Sequence, residues 1–287
     1  MKLSNLWKEK DVTLSFEAFP PKKDSDFDSV ATAVEKIAQL KPDFMSVTYG
    51  AGGGTSTYTS QIAQIVQAQG VTALAHLTCV SSDRERIHHE LDALKEAGIE
   101  NILALRGDYP EGYDPAAPRD FRYAYELVKE ITAYGGFCIG GACYPEGHVE
   151  CLSQAEDLRH LKEKVDCGVD FLTTQMFFDN SALYSFLYRA QEVGINVPIL
   201  AGIMPVTNGK QIARICKLSG TYLPEKFKAI VDKFGDNPAA MRQAGVAYAA
   251  GQIIDLIANG VNHIHIYSMN KPEIAAGIQS SLSEILK

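Results

Sequence analysis

The stretch RERIHHELDALKEAGIENILALRG, residues 84–107, contains the pattern that decides the fold. Its first half places apolar residues at helical spacing, Ile87, Leu91 and Leu94, and its second half is a short apolar run that ends in Arg-Gly. Gly98 lies between the two halves, where a helix that ends in a left-handed residue favours glycine. The stretch therefore predicts one helix followed by one strand.

The same unit recurs along the chain. Six glycines follow a helical pattern and precede an apolar run by a few residues: Gly70, Gly98, Gly135, Gly168, Gly194 and Gly260. Eight apolar runs are candidate strands: TLSFEAF (13–19), FMSVTY (44–49), TALAHLT (72–78), NILALRG (101–107), FCIGGACY (137–144), FLTTQMF (171–177), PILAGIMP (198–205) and HIHIYSM (263–269). Eight alternating units predict an α/β fold, a (β/α)8 TIM barrel, because strands covered by helices are almost wholly apolar.

An open doubly wound sheet is the alternative architecture. It is disfavoured because no strand is followed by G-x-G-x-x-G and the chain contains no G-x-x-x-x-G-K-[ST] motif. Residues 221–258 carry helical sequence without a convincing strand, so we expect an extra helix inserted before the last strand. We expect residues 1–287 to form a single domain.

Composition and charge narrow the class of protein. Apolar residues make up 46% of the chain and charged residues 22%, which is typical of a globular protein. The 27 basic and 35 acidic residues give a net charge of −8 without a long block of one sign, so neither nucleic acid nor an anionic membrane is an expected partner. The chain lacks an apolar run of the ~18 residues that span a membrane, and it lacks the apolar segment of a signal peptide, so we expect a cytoplasmic protein. The six cysteines form no C-x-x-C pair and lie mostly inside apolar segments, so they are expected to be buried free thiols instead of disulfides or zinc ligands.

In such a barrel the side chains that carry chemistry lie at the carboxyl ends of the strands. The polar residues that interrupt or end the apolar runs are therefore expected to converge on one mouth: Glu17, Thr48, Tyr49, His76, Thr78, Arg106, Asp108, Tyr144, His148, Gln175, Tyr267 and Asn270. Glu17 lies between Phe16 and Phe19, and a carboxyl with such apolar neighbours is a candidate general acid. The alternative interpretation is a half-solvated glutamate without a catalytic role.

Arg106, Gly107 and Asp108 follow the fourth apolar run. The glycine allows a ligand to approach the backbone, and the two charges can face that ligand from a tight turn. A fixed carboxylate beside an electron carrier would lower the reduction potential of the carrier. The alternative is a surface ion pair in a loop.

His263 and His265 alternate on the last strand and so share one face, which is compatible with a metal site in a metal-dependent barrel hydrolase. Such a site needs further ligands at other strand ends. Only His76 and His148 are available there, without a set of carboxylates, so packing and hydrogen bonding are the favoured roles and no metal is expected.

Eight motifs occur in a fixed order over residues 13–271: LSFEAFPPK, MSVTYGAGG, AHLTCV, NILALRGDYP, YPEGH, TQMFFD, ILAGIMPV and YSMNK. Together they resemble the methylenetetrahydrofolate reductases, in the bacterial single-domain form. The resemblance implies an FAD-binding barrel that reduces 5,10-methylenetetrahydrofolate to 5-methyltetrahydrofolate with NADH, or with NADPH, as electron donor. It also implies a homo-oligomer with a role in one-carbon metabolism and methionine biosynthesis.

The resemblance also assigns roles to single residues. Glu17 matches the general acid that protonates N10 of the folate, so that a 5-iminium cation forms and accepts hydride from the flavin. Asp108 matches a carboxylate near flavin and pterin, and Gln175 matches a contact shared by folate and nicotinamide. Gln211 and Lys271 match folate contacts. The positions that match contacts to FAD, with Thr48 beside the nicotinamide, are Thr48, Tyr49, Ala51, His76, Arg106, Gly107, Asp108, Tyr123, Ala124, Ala142, Tyr144, His148, Asp157 and Lys164.

Two positions depart from the family pattern. Ile215 lies where the family has an aromatic residue that stacks on folate or nicotinamide, and Lys271 replaces an arginine expected at the folate tail. Lysine keeps the charge but lacks the bidentate fork of arginine. The departures motivate a rival hypothesis, in which the chain is a flavin-binding subunit that receives electrons from a protein partner in a larger complex.

Overall fold

The computed structural model describes residues 1–49, 56–109, 112, 114 and 117–286. Within these residues eight parallel strands close into a barrel in sequence order, and β8 pairs with β1. The strands are β1 (Thr13–Ala18), β2 (Phe44–Val47), β3 (Thr72–Thr78), β4 (Asn101–Leu105), β5 (Cys138–Cys143), β6 (Phe171–Thr174), β7 (Ile199–Ile203) and β8 (His263–Ile266). The predicted (β/α)8 barrel is confirmed, and the open doubly wound alternative is wrong.

Helices surround the barrel. They are α1 (Leu3–Glu9), α2 (Phe27–Ala38), α3 (Ser56–Ala68), α4 (Arg84–Glu96), α5 (Ala124–Tyr134), α6 (Gln154–Asp166), α7 (Asn180–Glu192), α8 (Gly209–Ser219), α9 (Glu225–Phe234), α10 (Pro238–Ala258) and α11 (Pro272–Ser281). No helix within the described ranges is both long enough and apolar enough to cross a membrane.

The strands are buried on both faces, because the barrel interior lies on one side and the helices lie on the other. Every residue of β1, β2 and β6 is buried. The six glycines predicted before the strands all adopt positive φ, between 70° and 119°, a region that glycine enters without a clash of a Cβ atom. All six cysteines are free thiols, as the sequence predicted, but only Cys79, Cys138 and Cys143 are buried, and the other three are partly exposed because they lie in the loop after β5, at the end of α6 or on α8.

Helix α1 covers the amino-terminal end of the barrel. Its apolar residues form a buried cluster with Phe44 and Phe171, which begin β2 and β6. The Trp7 ring lies 6.0 Å from the Phe44 ring and 5.8 Å from the Phe171 ring, both edge-on. The side-chain oxygen of Asn101 accepts a hydrogen bond of 2.8 Å from the backbone N–H of Leu3. The barrel is therefore closed at this end and can open only at the other.

Glycine is required inside the barrel at one position of β5. A Cβ atom on Gly140 would lie 2.4 Å from the Phe171 ring and 2.9 Å from the Leu103 side chain. These two apolar side chains fill the space that a larger residue at position 140 would need.

Three helices, α8, α9 and α10, connect β7 to β8, where a regular unit has one. The sequence predicted one inserted helix over residues 221–258, whereas the structure has α9 and α10 in that range. They pack through a stack of rings in which Phe227 lies 5.1 Å from Phe178 and 4.1 Å from Tyr248. A Cβ atom on Gly245 would lie 1.9 Å from the carbonyl oxygen of Val206, so α10 contacts the backbone that follows β7.

Candidate active site

A cavity of about 980 Å³ opens at the carboxyl ends of the strands. Each of the eight strands, or the loop after it, contributes to its lining, so the cavity lies where the sequence predicted a shared site. Most of the predicted site residues line it: Glu17, Thr48, Tyr49, His76, Thr78, Arg106, Gly107, Asp108, Tyr123, Ala124, Ala142, Tyr144, His148, Asp157, Lys164, Gln175 and Tyr267.

Glu17 lies near the end of β1 and is 8% exposed. Its Oε2 atom is 3.6 Å from Nε2 of His76 and 3.9 Å from Nε2 of His265. Burial lowers the pKa of His76 to about 4, although the nearby Glu17 carboxylate opposes that shift. The His76 imidazole is therefore neutral near pH 7, and its contact with Glu17 is not an ion pair.

His265 is fixed beneath Glu17 by two serines. Ser15 Oγ lies 2.7 Å from Nδ1 of His265, and Ser46 Oγ lies 3.2 Å from Nε2. The imidazole also stacks on the Phe44 ring, with the ring centroids 5.9 Å apart. Both ring nitrogens thus have hydroxyl partners.

The paired histidines of β8 occupy separate environments. His263 Nδ1 lies 3.1 Å from Thr13 Oγ1, and its ring is 4.9 Å from Trp7 at the closed end of the barrel. Among the described residues no group of three or more His, Cys, Asp or Glu side chains could hold a metal ion. The geometry thus gives no support to a metal site built on His263 and His265.

Arg106 follows β4 and is paired with Glu150, a residue of the loop between β5 and α6. Nη1 of Arg106 lies 2.5 Å from one carboxylate oxygen of Glu150, and Nη2 lies 2.8 Å from the other. Hydrogen bonding to Glu150 raises the pKa of the arginine, and the same bond lowers the pKa of the glutamate. Gly107 adopts a φ of 87°, and Asp108 after it is exposed at the cavity edge.

The loop after β5 and helix α6 supply a second group of polar side chains. The rings of Tyr144 and His148 meet edge-on at 4.6 Å. Burial raises the pKa of Tyr144 to about 12 and lowers the pKa of His148. Nζ of Lys164 donates a 2.6 Å hydrogen bond to the carbonyl oxygen of Ala142, and burial lowers the pKa of this ammonium group. Asp157 accepts a weak contact of 3.7 Å from the Cys151 thiol.

The side of the cavity formed by β6, β7 and β8 is lined by both apolar and polar side chains. Met176, Met204, Ile215 and Met269 line it together with Gln175. Methionine side chains adapt to ligands of different shape and make favourable contacts with aromatic rings. These methionines can therefore adapt to the shape of a bound molecule.

The backbone after β8 is held in an uncommon conformation. Met269 and Asn270 have φ values of 56° and 53°. The Asn270 side chain accepts a hydrogen bond from the backbone N–H of Phe19 at 2.9 Å and donates one to its carbonyl oxygen at 2.7 Å. Asn270 thus ties the end of β8 to the end of β1 instead of lining the cavity.

Some predicted positions lie elsewhere. Gln211 is exposed on α8 and does not line the cavity. Lys271 also lies outside the lining, where its Nζ donates a 2.7 Å hydrogen bond to Thr207 Oγ1. Ala51 falls outside the described residues. Sequence reasoning missed Glu150, whose only signal is its place two residues after His148.

Comparison with known proteins supplies the family. The family described as Methylenetetrahydrofolate reductase matches residues 2–283. The chain is 34% identical over 273 residues to "5,10-methylenetetrahydrofolate reductase" of Pectobacterium carotovorum subsp. carotovorum, covering 94% of this chain and 90% of that one. It is 34% identical over 298 residues to "Methylenetetrahydrofolate reductase (NADH) 1" of Arabidopsis thaliana, covering 99% of this chain and 50% of that one. The chain thus spans about half the length of this plant relative.

A solved structure gives an independent view of the fold. An uncharacterized protein from Clostridium thermocellum, which binds two copies of 5-methyl-5,6,7,8-tetrahydrofolic acid, matches with a TM-score of 0.69 and 14% identity, covering 99% of each chain. At this identity the likeness shows the fold alone. The family match over nearly the whole length, together with the bacterial relative, gives the assignment: the chain belongs to the methylenetetrahydrofolate reductase family.

Proposed function

We propose that this chain reduces 5,10-methylenetetrahydrofolate to 5-methyltetrahydrofolate, with FAD in the cavity and NADH or NADPH as electron donor, and that residues 1–287 act as one FAD-binding domain. The family membership supports the reaction. The observation that carries the proposal is the Glu17 carboxyl, which lines the cavity while it is buried beside the neutral His76 imidazole.

The cavity residues fit a flavin dinucleotide. The Nε2 atom of His76 is buried without a hydrogen-bond partner although its side chain lines the cavity, which leaves a polar atom for a ligand. Arg106 and Lys164 line the cavity and are basic groups for phosphates, which agrees with the absence of a glycine-rich phosphate loop. Tyr49 and Tyr144 offer ring surfaces. A bound flavin would supply the hydride that reduces the substrate.

Glu17 is placed to deliver a proton to a nitrogen atom of a folate in the cavity. Among the described residues the basic side chains within 4.0 Å of its carboxylate are those of His76 and His265, and no lysine or arginine lies that close. The His265 ring, which is held by Ser15 and Ser46, lies 3.9 Å from this carboxyl. A carboxyl group that lines the cavity within reach of a bound substrate is what general acid catalysis requires.

Asp108 and Gln175 are proposed to contact the substrate. Asp108 is exposed at the cavity edge, where a carboxylate can accept hydrogen bonds from an amino-substituted ring and stabilise positive charge. Gln175 lies beside the methionines, and its side-chain oxygen accepts a 2.9 Å hydrogen bond from the backbone N–H of Met176. Its amide group remains a donor for a ligand. Gln211 and Lys271 are proposed for the distal part of the folate.

A second candidate function concerns the source of electrons. Ile215 lines the cavity with Met204 and Met269, so the residues around position 215 offer alkyl and thioether contacts to a nicotinamide ring. The family resemblance predicts an aromatic ring at position 215, and isoleucine cannot stack on a nicotinamide as such a ring would, which favours a flavin-binding subunit that is reduced by a protein partner.

Anaerobic stopped-flow spectroscopy of the FAD-loaded protein tests the proposal in two halves. We expect NADH to bleach the flavin absorbance and 5,10-methylenetetrahydrofolate to restore it. A preparation that takes up no FAD, or a reduced flavin that the folate does not reoxidise, would contradict the proposed reaction. Rapid reoxidation by the folate combined with very slow bleaching by NADH would instead favour the protein-partner hypothesis.

A further inference from the structure

The chain supplies its own counter-ion to Arg106. The guanidinium group makes two parallel hydrogen bonds of 2.5 Å and 2.8 Å to the Glu150 carboxylate. It also lies 4.3 Å from the centre of the Tyr109 ring, which comes from the same loop as Arg106. The ion pair therefore joins the loop after β4 to the loop after β5 at the cavity wall.

A carboxylate in this position imitates a phosphate. Both groups present a pair of oxygen atoms that match the fork of an arginine. Of the described lysine and arginine residues, Arg106 and Lys164 line the cavity, and Lys164 is bonded to the carbonyl oxygen of Ala142. Of these two basic residues, Arg106 is thus the one whose guanidinium N–H groups donate hydrogen bonds to an acidic side chain, that of Glu150.

The side chains of Arg106 and Glu150 differ in solvent exposure. The more exposed side chain is the one that can move away more easily. The Arg106 side chain is 18% exposed, whereas the Glu150 side chain is 47% exposed. A half-exposed carboxylate can turn into water at small cost, because its ion pair is worth little more than its hydration. The more enclosed guanidinium would remain in the cavity wall.

We propose that Glu150 is an internal competitor for the anionic group of the dinucleotide: it holds Arg106 in the unliganded chain and releases it when a phosphate binds. The inference rests on the proposed function, since FAD supplies the phosphates. In this exchange the paired hydrogen bonds between Arg106 and Glu150 are replaced by paired hydrogen bonds between Arg106 and a phosphate. Because the first pair must break, Glu150 lowers the affinity for the cofactor below the value expected if Arg106 had no acidic partner.

Binding measurements on the apoprotein test this competition. Dissociation constants for FAD and for ADP are measured by fluorescence titration and calorimetry for the wild type and for Glu150→Gln, which keeps the size of the side chain and removes its charge. We expect Glu150→Gln to bind both ligands about three- to tenfold more tightly, the range expected for a partly exposed ion pair. Glu150→Ala is a second variant and should change binding in the same direction.

Two controls separate a local exchange from a general charge effect. Glu163→Gln removes an equal charge from another residue of the cavity lining and should change the FAD affinity less than about twofold. In an Arg106→Lys background, which lacks the bidentate fork, Glu150→Gln should also have less than about a twofold effect. Thermal unfolding of each variant checks that it is folded.

The results that overturn the inference are distinct. Unchanged or weaker binding by both Glu150 variants would show that Glu150 positions Arg106 for the ligand or plays no part. An equal gain in affinity from Glu163→Gln, or in the Arg106→Lys background, would assign the effect to net charge. A wild-type chain that binds no FAD would overturn the proposed function as well, whereas FAD binding without a Glu150 effect would overturn only the inference.

Discussion

Glu17 shares the base of the cavity with two histidines that differ in their hydrogen bonds. His265 has a serine hydroxyl at each ring nitrogen, whereas the Nε2 atom of His76 has no partner. The His265 ring is therefore a fixed support, and the His76 ring has a polar atom left for a ligand.

Replacing Glu17 by glutamine should separate the two half-reactions. The Glu17→Gln side chain keeps the shape but has no acidic proton, so reduction of the folate should fall roughly 10²- to 10⁴-fold, the range expected for the loss of a general acid. Flavin reduction by NADH needs no such proton and should stay within about threefold of the wild type. Rapid-mixing absorbance measurements report both rates.

The control for this variant is Glu96→Gln, at the exposed end of α4 far from the cavity lining. It should leave both rates unchanged. Folate reduction at the wild-type rate in Glu17→Gln would refute the role of Glu17 as proton donor.

His76 should make the stability of the fold depend on pH. Burial lowers the pKa of His76 to about 4, from an ordinary value of 6.5, so between these values the unfolded chain binds a proton that the native protein does not. Stability is therefore present above pH 6.5 and is lost as the pH falls towards 4. Because of His76, the free energy of unfolding should fall by about 2 kcal/mol between pH 7 and pH 5.

Urea unfolding at pH 7 and pH 5 measures this contribution. The free energy of unfolding of His76→Asn should fall by about 2 kcal/mol less than that of the wild type over this interval. His89→Asn, a change at an exposed position of α4, should follow the wild type. Parallel pH dependence of the wild type and His76→Asn would contradict the expectation.

At the scale of elements, the repeated unit of helix, glycine and strand could be predicted from the sequence. In each unit the helical spacing of apolar residues ends at a glycine and is followed by a short apolar run. All eight strands fall within the apolar runs identified in the sequence. The inserted segment was harder, since residues 221–258 show helical spacing on both sides of a short break and only packing against the barrel defines α9 and α10. Helix α1 was not predicted, because a seven-residue helix is stabilised by its contacts with the barrel and not by its own sequence.

Helix α1 should contribute substantially to stability. Leu6 of this helix is 6% exposed in the cluster that closes the barrel. Leu6→Ala should lower the free energy of unfolding by about 2–5 kcal/mol, because buried contacts are lost and a void remains. Urea titration followed by far-ultraviolet circular dichroism measures the change.

Lys8→Ala provides the matched control on the same helix, since Lys8 is exposed. Lys8→Ala should change the free energy of unfolding by less than about 0.5 kcal/mol. A Leu6→Ala protein as stable as the wild type would show that α1 lies on the barrel without supporting it.

At the scale of the whole molecule, the closed barrel explains why so much of the candidate site could be predicted. Parallel strands that close in order bring all their carboxyl ends to one mouth, so residues as distant in sequence as Glu17, Arg106 and Tyr267 line one cavity. The loops could not be predicted in the same way. The pairing of Arg106 with Glu150 depends on how the loops after β4 and β5 contact each other. The spacing of apolar and polar residues along the sequence does not predict such a contact.

Binding of FAD should stabilise the whole fold. A ligand that binds only the native state at 100 times its dissociation constant adds about 2.7 kcal/mol to the free energy of unfolding. For a chain of this size the melting temperature Tm should rise by roughly 4–5 °C. Differential scanning calorimetry measures the shift.

Riboflavin is the control ligand, because it keeps the ring system but lacks the phosphates that Arg106 and Lys164 are proposed to bind. At the same concentration it should raise Tm much less than FAD. Equal shifts for the two ligands would contradict a role for the two basic residues, and no shift with FAD would contradict the cofactor proposal.

The covered end of the barrel has a practical consequence for spectroscopy. Trp7 is the sole tryptophan of the 287 residues, and it lies in the cluster between α1 and the first residues of the strands, at the opposite end from the cavity. Its near-ultraviolet emission should therefore report the loss of that cluster and be insensitive to local rearrangement of the loops at the mouth. Trp7 is therefore a natural fluorescent probe of the amino-terminal end of the barrel, and no dye needs to be attached.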